Sequence, residues 1–212
     1  MKDINQPILH TPRVYLVDDD EAVLDSLATL FDSVGVEHSC YASALAFLSA
    51  YPGDTICKLT GCVVLDIRMP GMSGMECQQK LIERQCSLPI IFITGHGDVP
   101  MAVEAMKLGA VEFIQKPFRE QALLDCIHKA MELNKQTQTE SLETQLIKNR
   151  LQTLSQREQQ VLHMVTCGQA NKVIASELNL SQRTIEIHRA NVMEKMQAKS
   201  LAELVTMVLT QE

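Results

Sequence analysis

A chain of 212 residues is longer than one typical domain and short for three, so two domains of unequal size are expected. With 19 basic against 26 acidic residues the net charge is −7, which favours solubility and gives no blanket attraction for nucleic acid. No stretch approaches the roughly 18 apolar residues of a bilayer span, and Met1 to Pro12 lack an apolar signal core, so the expected place of work is the cytoplasm.

The first candidate strand, Val14 to Val17, ends in three acidic residues, Asp18, Asp19 and Asp20. Glu21 to Val34 follows as a helix, because Val23, Leu24, Leu27, Leu30 and Phe31 recur at three- and four-residue steps. Val36 to Tyr41, Cys62 to Leu65, Ile90 to Ile93 and Val111 to Ile114 are further short runs rich in branched side chains, and read as strands. Helical segments alternate with them at Ala44 to Ala50, Gly74 to Gln85, Val99 to Leu108 and Glu120 to Leu133. Five repeats of strand then helix predict an α/β domain with a doubly wound five-stranded parallel sheet covered on both faces.

After Leu133 the character changes. Asn134 to Leu146 is Gln, Thr and Glu with few apolar residues, which predicts a solvated helix or a flexible connector. From Leu151 helices return without strands. Ser155 and Glu158 form a capping box, Gly168 suits the end of that helix, and Asn171 to Leu178 is the next. Asn179 can end it in the left-handed conformation, and Ser181 caps a third helix from about Gln182 to Met196. Leu201 to Leu209 is the fourth; its stripe of Leu201, Leu204, Val205 and Val208 reads as core before dimer seam. Two helices joined by a tight turn in a small all-α domain suggest a helix-turn-helix. The acidity belongs to the front: residues 1–130 hold 10 basic and 17 acidic residues, residues 131–212 hold 9 of each.

In a parallel sheet the ends of neighbouring strands lie side by side, so Asp18, Asp19, Asp20 and the strand-closing Asp66 gather carboxylates at one edge. Like charges so close imply a hard divalent cation, a shared proton, or a site built to receive something positive or to be modified. Thr94 closes the fourth strand and Lys116 follows the fifth, so both can reach that edge. A single strand-ending aspartate is more often a helix cap or turn residue. The ordered set instead looks like apparatus for accepting a phosphoryl group: Asp66 attacks phosphorus, Lys116 and Thr94 hold the phosphoryl oxygens, and Mg²⁺ (or Mn²⁺) neutralises charge. Its ligands would be Asp19, Asp66 and the main-chain carbonyl of Arg68, with Asp18 direct or through water. The seven cysteines, Cys40, Cys57, Cys62, Cys77, Cys86, Cys126 and Cys167, contain no Cys-x-x-Cys and are odd in number, which argues against a disulfide framework or zinc ribbon. Most read as small buried apolar residues, with Cys57 and Cys62 the pair to weigh for redox chemistry.

The runs Val17-Asp18-Asp19-Asp20, Leu65-Asp66-Ile67-Arg68-Met69-Pro70-Gly71-Met72-Ser73-Gly74, Ile93-Thr94-Gly95-His96-Gly97-Asp98 and Lys116-Pro117-Phe118 resemble the receiver domain of bacterial two-component response regulators. Leu154 to Glu158, Asn171 to Ala175 and Thr184 to Arg189 resemble a LuxR-type DNA-binding domain, and the combination resembles the FixJ-like branch. The resemblance implies a flavodoxin-like receiver at 13–130, a helical linker at 131–150 and the DNA-binding domain at 151–212. It implies Asp66 as phosphoacceptor, Asp18 and Asp19 as the acidic pocket, Thr94 and Lys116 as the residues sensing the phosphoryl group, and Phe113 as an aromatic switch. From spacing alone Phe113 reads as a core aromatic. The Lys116-Pro117 bond is a candidate cis peptide aiming the lysine at the pocket. Arg68 and His96 lie two residues beyond Asp66 and Thr94, where side chains would set the lifetime of an aspartyl phosphate. The implied partners are a sensor histidine kinase, promoter DNA and RNA polymerase, with a homodimer formed on phosphorylation or release of the DNA-binding domain. No membrane is implied, and the receiver catalyses only its own phosphorylation and dephosphorylation.

In the third helix of the back domain, a step of about 100° per residue turns Ile185, Val192 and Met196 inward. It turns Arg183, Glu186, Ile187 and Ala190 outward toward a major groove, with Thr184 at the helix start. Glu186 stands where relatives often carry a basic residue; a carboxylate can accept a hydrogen bond from cytosine N4. Lys172, Arg183 and Arg189 are candidates for phosphate contacts, against the plainer alternative of a solvated charged face. The zero net charge of this part makes dimerisation necessary for useful affinity.

Asp18-Asp19-Asp20 also resembles the Asp-x-Asp start of haloacid dehalogenase-type phosphatases, with Asp18 as nucleophile and Asp20 as acid. Ala22 where those enzymes prefer Thr or Val, the lack of an acidic pair after Lys116, and the helix-turn-helix all stand against it. The same carboxyl-terminal domain disfavours a receiver serving only as a phosphorelay or protein-binding module.

Overall fold

The computed structural model describes residues 11–95 and 99–210. Two expectations touch residues outside that range: the missing signal core of Met1 to Pro12, in part, and the role of His96. The chain divides into two compact units, residues 1–137 and 138–212.

In the first unit five parallel strands, β1 (Arg13–Val17), β2 (His38–Tyr41), β3 (Gly61–Asp66), β4 (Ile90–Thr94) and β5 (Glu112–Gln115), lie in the order β2-β1-β3-β4-β5. The central strand β3 is buried along its whole length, as its unbroken apolar run requires when helices cover both faces. Helices α1 (Glu21–Ser33), α2 (Ala44–Ala50), α3 (Gly74–Glu83), α4 (Val99–Lys107) and α5 (Glu120–Gln152) alternate with the strands. Leu24, Leu27 and Phe31 of α1 and Leu123, Leu124 and Ile127 of α5 pack on one face against Val14, Leu16 and Val64. Phe47, Cys77, Leu81 and Ala105 from α2, α3 and α4 pack on the other against Val17, Val63 and Leu65. β2 starts two residues later than the apolar run suggested, because the Val36 amide is spent on the Phe31 carbonyl at 2.9 Å, closing the end of α1.

Of the two alternatives open after Leu133, α5 takes the solvated helix. It does not stop at Leu133 but continues to Gln152, 33 residues in all. The polar stretch contains no Gly or Pro, its Lys, Gln, Glu and Leu residues are good helix formers, and a same-face Gln145 to Asn149 side-chain bond at 2.9 Å adds to it, so nothing in it breaks the ladder.

In the second unit the last turns of α5 join α6 (Gln156–Thr166), α7 (Asn171–Leu178), α8 (Gln182–Met196) and α9 (Leu201–Leu209). Ser155 and Glu158 form the capping box, Asn179 ends α7 in the left-handed region at φ 55°, and Ser181 accepts the Thr184 amide. Val161, Val165, Ile174 and Ile185 make one apolar cluster; Leu154, Leu162, Val192, Met196 and Leu204 make another, onto which Ile147 and Leu151 of α5 pack. The α9 stripe is core at Leu204 and partly at Val208, while Leu201 stays exposed.

Candidate functional site

Register brings the carboxylates together. Val17 pairs with Leu65, so the next residues, Asp18 and Asp66, leave β1 and β3 side by side. Thr94 pairs with Gln115, so Lys116 leaves β5 next to Thr94. Asp18 and Thr94 are each 1% exposed and Asp66 6%. The Lys116 ammonium bridges the two acids, donating to Asp18 Oδ2 at 2.6 Å and to Asp66 Oδ1 at 3.3 Å. The Asp20 amide donates to Asp18 Oδ1 at 2.9 Å, and the Arg68 amide to Asp66 Oδ2 at 2.7 Å. The Lys116-Pro117 bond is cis.

The electrostatics follow from this packing. Burial above all, and then the like charge of Asp18, hold the Asp66 carboxyl above its usual range, although Lys116 and the Arg68 amide pull it down. Burial works against the Lys116 charge, yet the hydrogen bond and charge of Asp18, with Asp66 behind them, raise its pKa. Two buried carboxylates with one ammonium leave the pocket short of positive charge. Gly74 permits this crowding: a Cβ there would sit 2.2 Å from the Asp66 carbonyl oxygen, so any side chain would displace the strand end.

Among the described residues no group of three His, Cys, Asp or Glu side chains stands ready as a metal cage. The donors at the pocket are nevertheless all oxygens, and its uncompensated negative charge fits a hard divalent cation such as the Mg²⁺ that receiver domains generally bind. Asp19 is exposed at the pocket rim, and Asp20 is turned to the α1 terminus, where its carboxylate accepts the Ala22 amide at 3.0 Å. That geometry gives the phosphatase reading no support: Asp20, which would have to be its acid, serves as the helix cap of α1.

Phe113 is half-buried. It packs on the core and also lines an open pocket with Ala102, Val103 and Met106 on the α4 and β5 face, so it is neither a sealed core residue nor a free one. Arg68 has an exposed side chain.

In the second unit Ile185, Val192 and Met196 are sealed inside, while Arg183, Glu186, Ile187 and Ala190 are exposed on α8. Ile187 is 51% exposed on that face. Lys172 is exposed on α7. Thr184 is half-buried, its hydroxyl 2.8 Å from that of Ser181. Arg183 leans on Glu186 at 3.8 Å, too long to immobilise either. Arg189 differs from the expectation of a free phosphate ligand: it is half-buried and its Nη1 donates to Asn171 Oδ1 at 2.7 Å, bracing α8 against the start of α7.

Sequence reasoning missed three polar residues that hold the machinery in place. Asn134 is 2% exposed; its Oδ1 accepts the Gly61 amide at 3.0 Å and its Nδ2 donates to the Ser87 carbonyl at 3.4 Å. It continues the stripe Leu123, Ile127, Ala130, where a polar residue in an apolar position was the available signal. Arg150 donates to the Met196 carbonyl at 3.2 Å and to the Gln197 side chain, placing a cation at the carboxyl end of α8. Glu158, beyond its capping role, accepts the Lys195 ammonium at 2.6 Å, joining α6 to α8. Cys57 and Cys62 do not form a pair: Cys62 packs into the α1 and α5 layer, Cys57 into the opposite one.

Residues 14–128 match the model of the response regulator receiver domain, and residues 152–208 that of bacterial regulatory proteins of the luxR family. Response regulator protein TmoT of Ectopseudomonas mendocina is 47% identical over 192 residues, covering 91% of this chain and 86% of TmoT. Transcriptional regulatory protein FixJ of Rhizobium meliloti is 48% identical over 196 residues, covering 92% of this chain and 94% of FixJ. Among solved structures, response regulator StyR has a TM-score of 0.85 at 43% identity, covering 94% of this chain and 99% of StyR. A pocket of buried acids bridged by a lysine, followed in the same chain by a capped helix-turn-helix, thus matches known proteins at both ends, and the chain belongs to the FixJ-type response regulators, phosphorylation-activated transcription regulators that join a receiver to a LuxR-type DNA-binding domain.

Proposed function

We propose that Asp66 accepts the phosphoryl group. A response regulator takes it from a histidine kinase and acts on promoter DNA; here an Asp66 carboxylate oxygen forms the new bond to phosphorus as the bond to the kinase histidine nitrogen breaks. The Lys116 ammonium, already between Asp18 and Asp66, and the Thr94 hydroxyl receive the phosphoryl oxygens. Asp19, Asp66 and the Arg68 main-chain carbonyl, with Asp18, are the residues that would hold Mg²⁺ or Mn²⁺, which when bound offsets negative charge in the pocket. The observation that carries this reading is the single ammonium shared by two buried carboxylates at the carboxyl edge of the sheet.

A new dianion draws Thr94 inward, and the half-buried Phe113 ring turns into the vacated space, repacking the α4 and β5 face into a homodimer contact. Paired α8 helices then enter the major groove, with Thr184, Glu186, Ile187 and Ala190 toward the bases and Lys172 and Arg183 toward phosphate, and the bound dimer recruits RNA polymerase. Arg189 contributes by bracing α8. Arg68 and His96 set how long the phosphoryl group survives. The activity is regulatory and cytoplasmic, with no turnover beyond the receiver's own phosphorylation and dephosphorylation; among the described residues no helix is long and apolar enough to cross a membrane.

Incubation with acetyl phosphate tests the assignment. Stoichiometric labelling lost in Asp66→Ala is expected. Multiple-turnover hydrolysis lost in Asp18→Ala, with labelling retained in Asp66→Ala, would overturn it.

A further inference from the structure

Two cysteines far apart in the chain meet at the edge of the receiver opposite to Asp66. Cys57 stands in the 3₁₀ turn Gly53–Lys58 ahead of β3, and Cys86 in the turn between α3 and β4. Their side chains cross: Cys57 Sγ donates to the Arg84 carbonyl at 3.1 Å, and Cys86 Sγ reaches back to the Ile56 carbonyl at 3.6 Å, so each thiol is bonded beside the other's chain position. Both are half-buried free thiols. Cys62 and Cys77 are sealed in the core, whereas Cys40, Cys126 and Cys167 sit on separate elements.

Arg84 adds an independent observation. Its Nη1 is buried and has no hydrogen-bond partner, and its charge acts on Cys86. A buried donor with nothing to bond is costly to keep, and the nearby Arg84 charge favours negative character on the Cys86 sulfur during thiol chemistry.

We propose that Cys57 and Cys86 are a redox pair that closes to a disulfide when a hydroperoxide oxidises the receiver. In the first step the Cys57 sulfur takes one oxygen from the hydroperoxide, giving a sulfenic acid and an alcohol (water, if the oxidant is hydrogen peroxide). In the second, Cys86 sulfur attacks Cys57 sulfur, the S–O bond breaks, and the hydroxyl leaves as water with the Cys86 proton. The two thiols lose two electrons and the O–O bond gains them. Burial pushes the Cys86 thiol up to about 11, so Cys86 is assigned the second step, in which its proton leaves with the departing hydroxyl. Because β3 and β4 begin near this pair and end at Asp66 and Thr94, the bond would tie the 3₁₀ turn to the end of α3 without occupying the phosphoacceptor pocket.

The test uses the full chain treated with hydrogen peroxide, alkylated, digested without reduction and mapped by mass spectrometry. A Cys57–Cys86 cross-link that dithiothreitol removes is expected, together with an upward shift of the receiver melting transition. In Cys86→Ser, a sulfenic-acid trap should label Cys57. Peroxide-treated wild type in which Cys57 and Cys86 are both still alkylated, or are linked to Cys40 or Cys167 instead, overturns the proposal. The wild-type map decides the question even if a variant folds poorly.

Discussion

Replacing Lys116 with methionine removes the cation that bridges two buried carboxylates while keeping the length of the side chain. At an effective dielectric of about 20, unit charges at 2.6 and 3.3 Å attract by roughly 6 and 5 kcal/mol. Desolvation consumes most of that in the wild type, so the cost of the change lies in what remains: Asp18 and Asp66 facing each other without a counterion. Losing one partner of a buried pair costs about 3–5 kcal/mol; with the Lys116 side chain 22% exposed, water can reach the pocket and the cost falls to about 2–4 kcal/mol. Urea denaturation of the receiver transition measures it, and millimolar Mg²⁺ should recover part of the loss. Asp66→Asn should move the other way. Its carboxyl has a raised folded pKa, so the penalty of holding it ionised grows as pH rises through that value, and removing the charge stabilises the receiver at neutral pH. A Lys116→Met loss below about 1 kcal/mol, or an Asp66→Asn loss of stability, would refute the view of the pocket as a site short of positive charge.

Further outcomes follow from the same structure. Glu158, held down to about 2 by the Lys195 ammonium and the Ser155 amide, contributes stability fully present above its usual 4.5 and lost as pH falls through about 2; amide exchange in α6 and α8 should accelerate across that window, and Glu158→Gln should flatten the dependence. Asn134→Ala strands the Gly61 amide and should cost the receiver about 2–3 kcal/mol, read as a lower melting temperature with faster exchange at the Gly61 amide. Lys172→Ala should weaken DNA binding evenly across sequences and reduce the salt slope by about 1, whereas Glu186→Ala should relax preference at one base pair and leave the slope unchanged, both measured by titration at several salt concentrations.

What could be read from the chain was whatever local pattern dictates. The run Gly61 to Asp66 has one plausible fate, a strand buried on both faces, and strands of that kind in parallel order put Asp18, Asp66, Thr94 and Lys116 at one edge before any coordinate is known. The caps at Ser155, Asn179 and Ser181 were equally legible because each satisfies amides or carbonyls within a few residues. The rest depends on contacts between distant segments. Nothing local reveals that Asn134 answers Gly61, that Arg189 is tied to Asn171, or that Cys57 meets Cys86 rather than the nearer Cys62. The length of α5 was half legible: low apolar content left a solvated helix and a flexible connector both open after Leu133, and the lack of Gly and Pro favours the helix that is found.

The central claim is that a phosphoryl group on Asp66 governs affinity for DNA. Fluorescence anisotropy with a DNA fragment selected from a random pool, run with and without acetyl phosphate and Mg²⁺, tests it most directly. Phosphorylation should tighten binding of the wild type by about 5- to 150-fold and leave Asp66→Ala unchanged. An equal gain in Asp66→Ala, or none in a wild type shown to be labelled, would contradict the account.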